Sequence, residues 1–261
     1  MMFEPMHNKL LPLTETGQAN LFGAWLNLAS PLVAEAIAAI GYDWVLIDAE
    51  HGPNDISSVL SQLQAVSAYP TVPVVRIPNH DASVIKRYLD IGAHNLLVPM
   101  VDTKNQARQI VEASRYPKAG IRGVGAGLAR ASRWSLQPDY LQTANASVRL
   151  ILQIESEEAL HNLPEILTVE GIAAVFFGPA DIAASKGLLG DPSDARIREA
   201  VIQGIKTACD RKIAAGVFSG DQDFIKACEL EGARLLGVTS DVNLLVSNGK
   251  RLLEHLRQPS A

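Results

Sequence analysis

Eight short apolar runs recur along the chain, each followed by polar residues and then by a segment with helical spacing. They run from Leu21 to Leu28, Asp43 to Asp48, Val72 to Ile77, Asn95 to Met100, Arg149 to Ile154, Ala173 to Phe177, Ala214 to Phe218 and Arg234 to Val238. The runs are continuous rather than alternating, the pattern of parallel strands covered on both faces. Helix signals fill the gaps between them. Ser30-Pro31 offers an N-cap followed by a proline at the first helical position. Leu32, Val33, Ala36, Ile37 and Ile40 then keep helical spacing, and Gly41 stands where a left-handed C-cap residue belongs. Thr103 with Gln106 makes a capping box ahead of another helix. Gly92, Gly171 and Gly232 each precede a strand by a few residues, as Gly41 does.

Eight strands alternating with helices predict an α/β chain folded as one (β/α)8 TIM barrel over residues 1–261. A doubly wound open sheet would use the same elements, but it wants a glycine fingerprint after its first strand. Here that strand ends Leu26-Asn27-Leu28-Ala29-Ser30-Pro31, with no GxGxxG. From Pro117 to Val148 no strand is evident, and the stretch is rich in Gly and Arg around Gly120–Gly125 and Arg130–Trp134. An excursion of that length serves a function or an interface, or is a solvated surface loop.

Composition narrows the class. The chain is 48% hydrophobic and 20% charged, enough apolar material for a packed core and too much for a disordered chain. A net charge of −5 lacks the basic footprint of a nucleic-acid binder. Cys209 and Cys228 form no CxxC pair, which supports neither a disulfide framework nor a thiolate metal site. No run approaches the length of a membrane span, and the first ten residues lack the apolar stretch of a signal peptide. The expectation is a cytoplasmic protein with no nucleic-acid or membrane partner.

In a barrel of this kind, chemistry collects at the carboxyl ends of the strands. Those ends read Asp48-Ala49-Glu50-His51, Arg76, Gln153-Ile154-Glu155-Ser156, Gly178-Pro179-Ala180-Asp181 and Thr239-Ser240-Asp241, whereas the strand starts carry few charges. Glu155 and Asp181 follow neighbouring strands. Two converging carboxylates repel unless a cation or a shared proton intervenes, and an all-oxygen set favours a hard divalent ion: Mg2+, with Mn2+ or Co2+ tolerable. Taken singly, each acid would more simply cap the next helix or pair with an arginine. His51 is the one histidine of six that follows a strand at this face, beside acidic neighbours, and is a candidate base. Arg76 closes a buried strand and must meet an anion, either those carboxylates or negative charge developing on a substrate. None of the nine lysines falls at a strand end, which excludes a Schiff-base aldolase.

The segments Asp48–His51, Pro73–Arg76, Leu97–Met100, Gly120–Gly123, Gln153–Glu155 and Gly178–Asp181 resemble the metal-dependent (class II) pyruvate aldolases. These include the 4-hydroxy-2-oxoheptanedioate aldolases of aromatic catabolism and the keto-deoxy sugar acid aldolases. The resemblance runs from about Phe22 to Leu253. It implies a lyase that cleaves a 4-hydroxy-2-oxo acid to pyruvate and an aldehyde. Glu155 and Asp181 would be the metal ligands, His51 the base, Arg76 the charge-stabilising arginine and Gln153 a substrate ligand. The backbone at Ala180 and Asp181 would hold the pyruvate carboxylate, and Trp25 would border the aldehyde pocket. Asp90 falls on the aspartate that raises the histidine's basicity, although a simple barrel puts its helix end on the far face. A fold-back of that helix end or a neighbouring subunit would reconcile the two. The family is also similar in forming hexamers with exchanged C-terminal helices, and the apolar segment from Val242 to Leu256 is compatible with that. A lyase of the same superfamily acting on acyl-CoA thioesters, and a catalytically dead binding barrel, are the alternatives.

Overall fold

The computed structural model describes residues 19–257; the expected domain extends beyond them at both ends. Eight parallel strands, β1 (Leu21–Leu26), β2 (Trp44–Asp48), β3 (Val72–Arg76), β4 (Asn95–Val98), β5 (Arg149–Ile154), β6 (Ile172–Phe177), β7 (Ala214–Phe218) and β8 (Leu235–Ser240), close in sequence order into a barrel. The connecting helices are α1 (Pro31–Ile40), α2 (Ile56–Val66), α3 (Ala82–Asp90), α4 (Lys104–Ser114) and α6 (Glu157–Ile166), then α8 (Ala195–Asp210) and α9 (Gln222–Leu230). Two further helices, α5 (Tyr140–Ser147) and α7 (Pro179–Ser185), are inserted before β5 and after β6, and α10 (Asp241–Arg257) follows the last strand.

The predicted punctuation is present. Ser30 Oγ accepts from the Val33 N–H at the start of α1, and Thr103 and Gln106 form their capping box on α4. Gly41 takes φ +99°, and Gly92, Gly171 and Gly232 take the same left-handed conformation before their strands. A side chain at Gly41 would be strained there because its Cβ would crowd the adjoining backbone.

Side chains alternate across each strand between two apolar layers. One layer lies between barrel and helices and includes Val45, Ile47, Val75, Leu96, Leu152, Val175 and Phe177. The other fills the barrel with Trp25, Trp44, Leu46, Val74, Leu97, Ile151, Ala174, Phe176 and Leu235. Continuing each inward row by two residues toward the carboxyl end gives Asn27, Asp48, Arg76, Gln153 and Gly178. The barrel thus changes from aromatic and aliphatic to polar along its axis.

Two strands stop earlier than their apolar runs. After Leu26 the chain leaves the sheet, and the Asn27 and Leu28 N–H groups donate to the Asp241 carboxylate. After Val98, Met100 adopts φ +54° and its N–H donates to Glu155 Oε1 at 2.7 Å. Side-chain acceptors at the polar end therefore replace ladder partners and fix where these strands finish.

The Pro117–Val148 excursion contains no strand. It holds two 3-10 turns (Ala126–Leu128 and Arg130–Ser132) and α5. It links the end of α4 to the start of β5, so it lies at the amino end of the barrel, away from the polar mouth. Among the described residues, no helix is long and apolar enough to cross a membrane.

The inward row of β1 also shows how tightly the interior is filled. A Cβ on Gly23 would lie 2.1 Å from Cε2 of Trp44. Gly23→Ala is expected to destabilise the protein by ~2 kcal/mol or more, because the indole is locked inside the barrel and has nowhere to move. A thermal midpoint lowered by several degrees checks this.

Candidate active site

Arg76, at the inward tip of β3, is 7% exposed, and Asp48, at the inward tip of β2, is fully buried. The guanidinium grips Asp48 with both edges of one fork: Nε donates to Oδ1 at 2.9 Å and Nη2 to Oδ2 at 2.7 Å. Nη1 lies 2.9 Å from Oε2 of Glu50. Asp48 Oδ1 also accepts from the backbone N–H groups of Glu50 and His51, and Oδ2 accepts from Nδ2 of Asn27. Burial works against the Asp48 carboxylate, but the bonds from Arg76 and from the two N–H groups hold it below the usual carboxylate range. One acid therefore fixes the arginine and shapes the turn that carries His51. The His51 ring is exposed on the cavity wall.

Across the barrel, Gln153 and Glu155 project from the end of β5 and are 4% and 3% exposed. Glu155 Oε1 accepts from the Met100 N–H, and Oε2 accepts a short hydrogen bond from Gln153 Nε2. Burial, chiefly, pushes the Glu155 carboxyl up to about 7, with the nearby charges of Glu50 and Asp181 adding to the rise. Asp181, in the first turn of α7, is exposed at the cavity wall. Gly178 closes the gap: a Cβ there would come within 3.1–3.3 Å of Glu155 and Gln153.

Among the described residues, no three His, Cys, Asp or Glu side chains gather as a metal cluster. The two-carboxylate set nevertheless fits a hard cation. Its donors are all oxygens, the Asp181 charge lies close enough to raise the cost of ionising Glu155, and among the described residues the buried Oε1 of Gln153 has no hydrogen-bond partner. A cation would offset the cost of keeping Glu155 ionised in this buried position.

These groups border a cavity of about 540 Å3 at the carboxyl end of the barrel. His51, Arg76, Gln153, Ala180, Asp181 and Trp25 all line it, as do Asp48 and Asn27, while Glu155 sits just beneath the wall formed by Gln153 and Gly178. Among the described residues, no lysine lines the cavity. Trp25 is 7% exposed and serves both interior and wall, with its ring 4.6 Å from Phe218 and 5.4 Å from Phe176 between centroids.

The model of the family described as HpcH/HpaI aldolase/citrate lyase matches residues 21–248, the whole barrel and its mouth. The chain belongs to the HpcH/HpaI aldolase/citrate lyase family. It is 47% identical to a hydroxypyruvate/pyruvate aldolase of Deinococcus radiodurans, over 98% of this chain and 95% of that protein. It is 44% identical to a 4-hydroxy-2-oxo-heptane-1,7-dioate aldolase of Escherichia coli, over 95% and 94% of the two chains. The crystal structure of an HpcH/HpaI aldolase/citrate lyase family protein from Burkholderia cenocepacia superposes with a TM-score of 0.91 at 38% identity, covering 95% of this chain and 98% of the other. This HpcH/HpaI family member is accordingly a carbon–carbon lyase of the aldolase type.

One expected site residue stands elsewhere in this family member. Asp90 ends α3 at the amino end of the barrel and is bound there by Arg122, whose Nη2 donates to Oδ1 at 2.7 Å. Arg122 itself is buried over the Tyr116 ring, 4.5 Å from its centroid, and also donates to Tyr140 Oη at 3.3 Å. Within this chain, Asp90 is not brought to His51. Three residues carry structure that strand-end reading left without a role: Asp48, Glu50 and Asp241. Asp48 shares inward parity with Trp44 and Leu46, which was the available signal. Asp241, 3% exposed, binds Asn27 and Leu28 from more than 200 positions away, and nothing local announces it.

Glu155 gives a pH prediction. Its folded-state value of about 7 lies above the ordinary 4.5, so the folded protein binds more protons between those limits. In chelator-treated protein, this residue's contribution to stability is expected to be full below pH 4.5 and lost as pH rises through 7. Urea unfolding at pH 5 and pH 8 should show a larger fall for the wild type than for Glu155→Gln, since the amide does not titrate.

Proposed function

We propose that the protein cleaves a 4-hydroxy-2-oxo acid, such as 4-hydroxy-2-oxoheptanedioate, reversibly to pyruvate and an aldehyde. The observation that carries the reading is the pairing of a buried Glu155 with Asp181 on neighbouring strand ends, at the cavity that also holds Arg76 and His51. The names of the two aldolase relatives support it. Glu155 and Asp181 would hold Mg2+, Mn2+ or Co2+, which when bound supplies a Lewis acid for the 2-keto group.

The chain's own groups account for the remaining steps. The N–H groups of Ala180 and Asp181 lie in the first turn of α7, where helix geometry provides no carbonyl partner, and they bind the keto acid's carboxylate. Gln153 fixes the substrate from the floor of the cavity. An imidazole nitrogen of His51 takes the proton of the 4-hydroxyl, directly or through a water, as the C3–C4 bond breaks. The Arg76 guanidinium, rigid on Asp48, faces the oxygen on which negative charge develops. A proton returned to C3 yields pyruvate, and the aldehyde departs along the wall that includes Trp25.

A basicity-raising role for Asp90 then requires a neighbouring copy, because this chain's own Asp90 is at the other end of its barrel. A homohexamer with exchanged C-terminal helices is the corresponding assembly. Supporting it, α10 leaves Leu245, Val246, Leu252, Leu253 and Leu256 exposed, and only its first residue is buried. A cytoplasmic setting accords with the two free cysteines.

In D2O with added Mg2+ or Mn2+, the protein is expected to exchange the methyl protons of pyruvate, followed by NMR. His51→Ala and Arg76→Ala should slow cleavage by roughly 100-fold or more. Glu155→Gln and Asp181→Asn should lose metal binding by calorimetry. Undiminished cleavage after exhaustive chelation would overturn the metal-dependent reading.

A further inference from the structure

On the proposed reading, the keto acid would take one side of the cavity with its catalytic groups, the side built by β2, β3, β5 and the start of α7. The opposite wall comes from the segment leading into α8, from α8 itself and from the turn between β7 and α9, with Ser193, Arg198, Phe218, Asp221 and Phe224. No step above uses these residues. Among the described residues, Arg198 is the only arginine or lysine besides Arg76 that lines the cavity.

Arg198 is held from three directions. Its Nε donates to the Ser193 carbonyl at 3.0 Å, and its Nη2 donates to Asp221 Oδ2 at 2.6 Å. Its Cζ lies 5.0 Å from the centroid of the Phe224 ring. These contacts use two of the five guanidinium N–H groups, and among the described residues the other three bond to nothing. Nor does Asp221 fully cancel the positive charge. Its Oδ1 caps α9, accepting from the Asp223 and Phe224 N–H groups at 2.9 and 3.1 Å, so its charge is shared with a helix start. What this wall leaves open is a surplus of donors on a fixed cation, with the Phe224 ring beside it and Phe218 lining the same cavity. That arrangement suits a short chain ending in a carboxylate.

We propose that Arg198 is a specificity-determining residue that selects acceptor aldehydes carrying a carboxylate at the end remote from the carbonyl. The assignment rests on the aldolase reading and names the substrate class of that same site. Arg198 takes no part in enolisation of pyruvate; it acts on the aldehyde alone, by fixing the far end so that the carbonyl meets the enolised carbon.

The test is aldol addition of pyruvate, with Mg2+, to 4-oxobutanoate and to its uncharged counterpart butanal. 4-Oxobutanoate is what a 4-hydroxy-2-oxo-heptane-1,7-dioate leaves once the three carbons of pyruvate are removed. The wild type is expected to favour 4-oxobutanoate in kcat/KM by roughly 10-fold or more, and added salt should shrink that preference because the guanidinium is one-third exposed. Arg198→Gln should lose about 10-fold toward 4-oxobutanoate, mainly through KM, and stay within about twofold toward butanal. Arg198→Lys should recover part of the loss. Pyruvate methyl exchange without any aldehyde should be unchanged in both variants, which shows that the keto-acid side is intact. Equal losses toward both aldehydes, or none toward either, would overturn the assignment while leaving the aldolase reading in place. Absence of exchange in the wild type would instead overturn the aldolase reading, and the assignment with it.

Discussion

A guanidinium at the top of a closed barrel must be paired, and here the pairing organises the mouth. Arg76 is buried and its partner Asp48 more so. Removing one member of such a pair leaves the other charged and desolvated, at a cost of about 3–5 kcal/mol. The geometry is correspondingly complete: a two-pronged contact to Asp48 and a third group against Glu50. Because Asp48 also receives Asn27 and the backbone of the turn leading to His51, the same ion pair joins β1, β2 and β3 and sets where the candidate base stands. Asp241 extends the connection. Its carboxylate holds the chain just after β1 and begins α10, so the barrel is sealed between its last and first strands by the network that supports the arginine.

The opposite side of the mouth follows another electrostatic logic. Glu155 is buried beside other acids with one backbone N–H and one amide to satisfy it, and its proton is correspondingly hard to remove. Asp48, equally buried, stays ionised because a cation touches it. Two carboxylates a few strands apart are thus driven in opposite directions: Arg76 and two backbone N–H groups bond directly to Asp48, whereas Glu155 feels Arg76 only from a distance and has Glu50 and Asp181 nearby. One acid is paired within the chain, and the other is the one whose ionised form a bound cation would stabilise. The aromatic interior below, with Trp25 shared between core and wall, gives both acids a rigid base.

The amino end of the barrel is built as deliberately. Arg122, within the long excursion before β5, buries its charge against Asp90, the Tyr116 ring and the Tyr140 hydroxyl. That excursion exposes Ile121, Val124, Leu128, Trp134 and Leu136, and α10 exposes a second apolar set.

Much of this was legible in the residues alone. Continuous apolar runs, capping residues and glycines before strands determine eight parallel strands with helices between them, because those signals depend only on neighbours a few positions away. The sequence also placed the candidate chemistry, since polar residues at strand ends are exceptions to an otherwise apolar rhythm. Only the folded chain decided which of those polar groups meet. The closing of β8 on β1 brings Asp241 to Asn27, and the inward pleat of β2 and β3 sets Asp48 on Arg76. Asp90 went the other way, to Arg122, because a helix in this barrel ends at the face opposite to the one where a strand ends. Spacing along a chain fixes the period of an element, but distance between elements depends on how the sheet closes, and that is a property of all eight strands at once.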